Sequence, residues 1–172
     1  TIFKNNGGEY DTDPCSEIGA FRHALWQATI ASYYGCDIAT EVGNAHEDNP
    51  STNLKVRSFS SMAEADQVVD LLNNMLGRTI GEQKPHCPMN ELAGNVLDYF
   101  YTTGLYTGKL NKDGTWSVSK TRITEEQYVN YKAVLNGLDF NGFNCSEQSQ
   151  YRAKCEQVNR TIHDAGNYID TK

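Results

Sequence analysis

The sequence predicts a mainly α-helical single domain over residues 1–172, with five to six helices and one β-hairpin. Three observations predict it. Apolar residues recur at three- and four-residue spacing along most of the chain. Helix-start residues precede those stretches and glycines follow them: Pro14, Ser61, Pro88 and Thr124 in front, Gly35, Gly81 and Gly104 behind. One segment of strand character stands apart, where LYTGKL and TWSVSKTRI flank Asn111-Lys112-Asp113-Gly114. A chain of 172 residues can bury one core, and 38% hydrophobic with 22% charged residues is a folded rather than a disordered composition.

Taken in order, residues 1–12 form a polar lead-in, and Asp13 and Pro14 supply an N-cap and a first helical position. This first helix is expected to run to about Tyr34 and to stop at Gly35. Apolar residues on two of its faces mark it as central. A shorter helix over 37–46 follows, with Ile38, Ala39, Val42 and His46 inward. The segment EDNPSTNLKVRSFS reads as a loop broken at Asn49-Pro50. Ser61 and Glu64 form a capping box for a third helix with a core stripe through Ala65, Val68, Val69, Leu72, Met75, Leu76 and Ile80, ended by Gly81. Asp66, Asp70, Asn74 and Arg78 recur along another of its faces, either a solvated edge or one wall of a cleft. Pro88 opens a fourth helix closed by Gly104, the hairpin follows, and Thr124 to Gln127 caps a helix reaching Asn136. A last amphipathic helix is expected over about 146–165.

A net charge of -7 argues against duplex nucleic acid as a partner, because phosphate binding needs surplus Lys and Arg. No stretch is apolar and long enough to be a transmembrane segment. Cys15, Cys36, Cys87, Cys145 and Cys155 contain no CxxC pair, which excludes a zinc ribbon or thioredoxin-like motif. Their number and wide spacing predict an oxidising compartment, with two disulfides and one free thiol. No signal peptide is legible, and the start at Thr1 fits a mature product or a domain of a longer protein.

Three groups of residues could carry chemistry. Arg22-His23 lies within one helical turn of Trp26, in a stretch where polar groups are costly unless paired or used. His46-Glu47 ends a short helix, where the helix dipole favours a protonated imidazole and burial would raise a carboxyl into acid–base range. Asn73-Asn74 places two adjacent amides in mid-helix against propensity, with Arg78 one turn on and Asp70 one turn back. His86, in a loop beside Cys87, is the weakest candidate. His23, His46 and Glu47, with a fourth group from Asp70 or His86, are candidate ligands for a divalent metal such as zinc, although no HExxH or HxH spacing occurs. A Cys-His nucleophile built on Cys15 or Cys36 is a further option, and it excludes a disulfide at the same cysteine.

FRHALW at 21–26, GNAHE at 43–47 and LLNNMLGRTIG at 71–81, followed by NELAGNVLDYFYTTGLYTGKL, come in this order. The order resembles bacterial secreted toxin domains of the polymorphic-toxin, contact-dependent and type VI effector kinds, with FRHAxW, G(D/N)AHE and NNxxGRxIG motifs. It spans about residues 13–125, and leaves the region 144–172 outside it. The resemblance nominates Arg22, His23, Trp26, His46, Glu47, Asn73, Asn74, Gly77 and Arg78, and implies a secreted antibacterial effector with a cognate immunity protein. The chemistry of such domains is poorly defined. The expected activity is hydrolysis of a cell-envelope component in the periplasm, peptidoglycan before a lipid-linked substrate. His23, His46 and Glu47 would be catalytic, and Arg22, Trp26, Asn73, Asn74 and Arg78 would bind substrate. A non-enzymatic interaction or membrane-perturbing domain is the alternative reading, and a cytoplasmic nuclease the third.

Overall fold

The computed structural model describes residues 14–140, 144, 146, 148–150 and 152–157. They form helices α1 (Glu17–His46), α2 (Met62–Glu82), α3 (Met89–Thr102) and α4 (Glu125–Leu135), and strands β1 (Ser58–Phe59), β2 (Leu105–Leu110) and β3 (Trp116–Thr121). Residues 152–157 are also helical. The chain is therefore mainly α with a small antiparallel sheet, as its periodicity predicts. The rest of the helix expected over 146–165 lies outside the described residues, as does Asp13.

Helix α1 starts later than the Asp13-Pro14 signal predicts. Cys15 has a left-handed backbone (φ 63°), so no helix can pass through it, and Ser16 is the N-cap. Its hydroxyl accepts from the Gly19 N–H at 3.1 Å. At Gly35 (φ 86°, ψ 165°) the helix breaks, as the sequence predicts, and its second segment folds back along the first. Gly43 accordingly lies against Gln27, and the His46 ring meets Trp26 at 5.1 Å between centroids. Ala39 and Gly43 are the buried residues of this returning segment, whereas Ile38 and Val42 are exposed, contrary to expectation. Only small side chains fit where two helices sit this close.

Helix α2 packs on the first segment of α1 with backbone against backbone. A Cβ at Gly77 would fall 2.2 Å from the Ala24 carbonyl oxygen, and one at Gly81 equally near that of Ala28. Gly81 is thus a crossing residue inside α2 rather than its stop, and the helix continues to Glu82. Contacts advance together along both helices (24 with 77, 28 with 81), so the two run parallel. The face bearing Asp70, Asn74 and Arg78 consequently turns toward α1, and Met75 of the expected core stripe is exposed.

The sheet order is β1-β3-β2, with Leu105 opposite Thr121 and Leu110 opposite Trp116. Strand β1 falls within the segment read as a loop. Its two residues pair with Ser117 and Trp116 on an edge too short for any alternation to show in sequence. The sheet packs on α2 through Val118, Val68, Val69 and Leu72, while α1, α3 and α4 enclose the larger core around Phe100, Leu92, Leu97 and Leu105. Helix α4 opens with the predicted capping box of Thr124 and Gln127.

Candidate active site

The folding back of α1 and the parallel crossing of α2 bring three distant pieces of sequence to one place. His23 comes from the first segment of α1, Glu47 from just beyond the second, and Asp70 and Asn74 from successive turns of α2. Asn74 is fully buried and bridges the group: its Nδ2 donates to Glu47 Oε1 at 3.0 Å, and its Oδ1 lies 3.1 Å from His23 Nδ1. The amide orientation fixes the imidazole. A carbonyl oxygen accepts, so Nδ1 carries the proton and Nε2 is left with its lone pair. Nε2 in turn lies 3.4 Å from Asp70 Oδ2, and Nδ1 lies 3.8 Å from Glu47 Oε1.

All three ionisable groups are withdrawn from water, with side-chain exposures of 5% for His23, 7% for Glu47 and 17% for Asp70. Burial pushes His23 below the ordinary imidazole value. It pushes Glu47 above the usual carboxylate range, against the opposing pull of the Asn74 hydrogen bond. Asp70 is raised to about 8, by burial first and then by the negative charges of Asp66 and Glu47. At neutral pH Asp70 therefore holds its proton, facing His23 Nε2. Among the described residues, no lysine or arginine forms an ion pair with Glu47, Asp66 or Asp70.

Two clefts meet beside this group. One, of about 340 Å³, is lined by Glu47, Asp48, Glu64, Asp66 and Asp70 together with His46. The other, of about 490 Å³ and more apolar, is walled by Trp26, His23, His46 and Arg22. His46 is exposed and shared by both, with its ring 5.9 Å from that of His23. Buried His23 and Glu47 are thus reached from solvent past an exposed imidazole on one side and a row of carboxyls on the other.

The structure brings together Arg22, His23, Trp26, His46, Glu47, Asp70 and Asn74. It gives Asn74 a positioning task, since both ends of its amide are engaged within the protein. Asn73 faces the other way: it donates to the Tyr106 carbonyl at 2.8 Å and accepts from the Tyr106 N–H at 2.9 Å, tying α2 to β2. Arg78 donates to Gln27 Oε1 at 2.9 Å. It forms no ion pair with Asp70, two turns back on the same helix. Among the metal candidates, His23 and Asp70 come together with Glu47, and His46 is not part of that group. His86 packs on Tyr33 with ring centroids 5.9 Å apart, away from the cluster.

Cys15, Cys36, Cys87 and Cys155 are free thiols. Two disulfides are therefore not formed among the described cysteines, each of which sits on a different element or loop. Burial and the charge of Asp66 raise the Cys15 thiol to about 12, far from a thiolate nucleophile. Sequence reasoning missed the cleft carboxyls Asp48 and Glu64. Gln27 was signalled only by its place one turn after His23, as an amide in an apolar helix; it is fully buried.

The chain belongs to a family described as a domain of unknown function, DUF6973, whose model matches residues 10–103. That span contains every residue of the cluster. No curated protein and no solved structure matches the chain.

Proposed function

We propose that this protein is a secreted effector toxin that hydrolyses a component of the cell envelope, peptidoglycan before a lipid-linked substrate, in the periplasm of a target cell. The observation that carries the reading is the Asn74 bridge, which holds a buried imidazole and a buried carboxyl in fixed relation at the junction of two clefts. Hydrolysis needs a group that takes a proton from water and another that gives one to the leaving group. The Glu47 and Asp70 carboxyls form the water-activating face. A water there loses a proton to the Glu47 carboxylate and attacks the scissile bond, and the leaving group takes a proton from His46 at the shared rim. Trp26 and Arg22 offer an aromatic wall beside a cation, which suits a sugar or amide carrying a carboxylate or phosphate.

The test is to incubate the purified chain with isolated cell-wall sacculi, and separately with lipid-linked wall precursor, and to identify released fragments by mass spectrometry. The expected result is release by the native chain and none by Glu47→Gln, with both giving the same circular dichroism. Absence of fragments from both substrates, or equal release by Glu47→Gln, would sink the proposal. An immunity protein, if one accompanies this chain, is expected to cover the rim at His46.

A further inference from the structure

We infer that His23, Glu47 and Asp70 form a binding site for a divalent cation of the first transition row, with the ion's remaining positions open to the acidic cleft. This rests on the same site as the proposed hydrolysis and specifies what activates the water there. One ligand atom from each of these residues lies within 4.8 Å of the other two, close enough for a single ion to reach all three. They come from three separate stretches of chain, so the cluster is a product of the fold rather than a run of neighbouring acids.

The second observation is independent of the acids. Asn74 accepts the Nδ1 proton of His23 and so presents the other ring nitrogen, Nε2, as a lone pair on the side of Asp70. A hydrogen-bond acceptor behind a histidine that fixes its tautomer and orientation is the usual outer support of a metal-bound imidazole. The same amide anchors Glu47 through its Nδ2, so one residue orients two ligands. The charge is also right. One neutral imidazole and two carboxylates balance a dication, and Asp48, Glu64 and Asp66 add a negative approach path from solvent.

A set of one nitrogen and two oxygens suits manganese or zinc better than the all-oxygen shells of calcium. An ion held at three positions keeps open places for water, and its bound water gives up a proton more readily than free water. A carboxylate with one oxygen on the metal and the other free is then base enough for the proposed step.

Manganese is the probe of choice, because free thiols compete less for it than for zinc. The full chain is titrated with Mn2+ while the six-line spectrum of the free ion is followed by electron paramagnetic resonance. One ion per chain is expected, with Asp70→Asn and Glu47→Gln each weakening binding by at least tenfold, and Asn74→Ala by roughly tenfold or more. Glu64→Gln, on the approach path but outside the ligand set, should weaken binding far less than Asp70→Asn does. The inference is overturned if the native chain shows no saturable site. It is overturned equally if Glu64→Gln weakens binding as much as Asp70→Asn does, since the attraction would then be a diffuse acidic field. Envelope fragments released undiminished in the presence of a chelator would overturn the cation's role and leave the hydrolase reading standing. Manganese bound at this site without any hydrolysis would do the reverse.

Discussion

Gly77→Ala tests whether the site depends on backbone contact between α1 and α2. The added methyl would fall 2.2 Å from the Ala24 carbonyl oxygen and 2.9 Å from its carbonyl carbon and Cα, where ordinary contact begins at 3.4 Å. Those atoms are backbone and cannot rotate aside, so the helices must part by roughly 1 Å. Overpacking of this kind costs about 1–3 kcal/mol, and the better helix propensity of alanine returns about 1 kcal/mol, leaving a net loss of up to about 2 kcal/mol. Gly94→Ala in α3 is the control, because its nearest neighbour is the Lys132 Nζ at 3.7 Å. There the propensity gain acts alone and should stabilise by about 0.5–1 kcal/mol. Urea denaturation monitored by circular dichroism should move the two midpoints in opposite directions. Equal shifts, or stabilisation by both, would refute the close crossing. Gly77→Ala should also weaken Mn2+ binding, since Ala24 adjoins His23 and Gly77 lies less than a turn beyond Asn74.

Asn74→Ala removes the partner of two buried groups at once and should destabilise by about 2–4 kcal/mol in urea at pH 7, taking both single losses together. Asn73→Ala should cost a similar amount, about 2–4 kcal/mol, and speed hydrogen exchange at the Tyr106 amide while leaving Mn2+ affinity unchanged; a loss of affinity would place Asn73 in the site after all. Asp70→Asn predicts a pH signature in chelator-treated protein. Asp70 titrates at about 8 when folded, against an ordinary value of 3.8, so the folded chain binds that proton more tightly than the unfolded one. The native chain keeps this contribution below about pH 4 and loses it as the pH rises through about 8. The variant lacks the slope, and its advantage should therefore grow by up to about 1.4 kcal/mol per pH unit across that window. Urea midpoints for both proteins at pH 5, 6, 7 and 8 would decide it, and a constant difference would refute the assignment.

Much of this architecture is legible before any coordinates because its signals are local. The Gly35 break, the Ser61 cap, the Thr124 box and the hairpin across Asn111–Gly114 each depend on a few adjacent residues. Two local signals mislead. Pro14 reads as a first helical residue, but Asp66 draws in the Cys15 N–H, and the helix waits for Ser16. Gly81 reads as a stop, yet its missing side chain serves contact with α1. The candidate site was partly legible for the opposite reason. His23, Glu47 and Asn74 stood out as polar groups in apolar surroundings, which points to partners without saying which. Asn73 and Asn74 are adjacent and alike in sequence, and only the helix phase, about 100° apart, sends one to β2 and the other to the cluster. The tie from Arg78 to Gln27, instead of to Asp70 two turns back on its own helix, could not be read from spacing.

That tie bears on what the cluster is for. A fold that merely needed to quiet Glu47 and Asp70 had cations within reach: Arg22 adjoins His23 in sequence, and Arg78 lies one turn beyond Asn74 on the same helix. Arg22 remains exposed at the apolar cleft, and Arg78 is spent on an amide. The cluster forms no ion pair with either guanidinium, and burial raises both carboxyls at a cost to stability, the Arg22 charge opposing it only in part at Asp70. A structural polar network tends toward full pairing, because each unsatisfied buried group is expensive. Here the one neutral amide that enters the group orients its members and neutralises none of them. The arrangement is intelligible as a site whose missing positive charge arrives from outside, and Asp70→Asn separates this from a structural role. It should stabilise the apo chain at neutral pH while removing the cation site, whereas a merely structural carboxyl would lose stability on the same substitution.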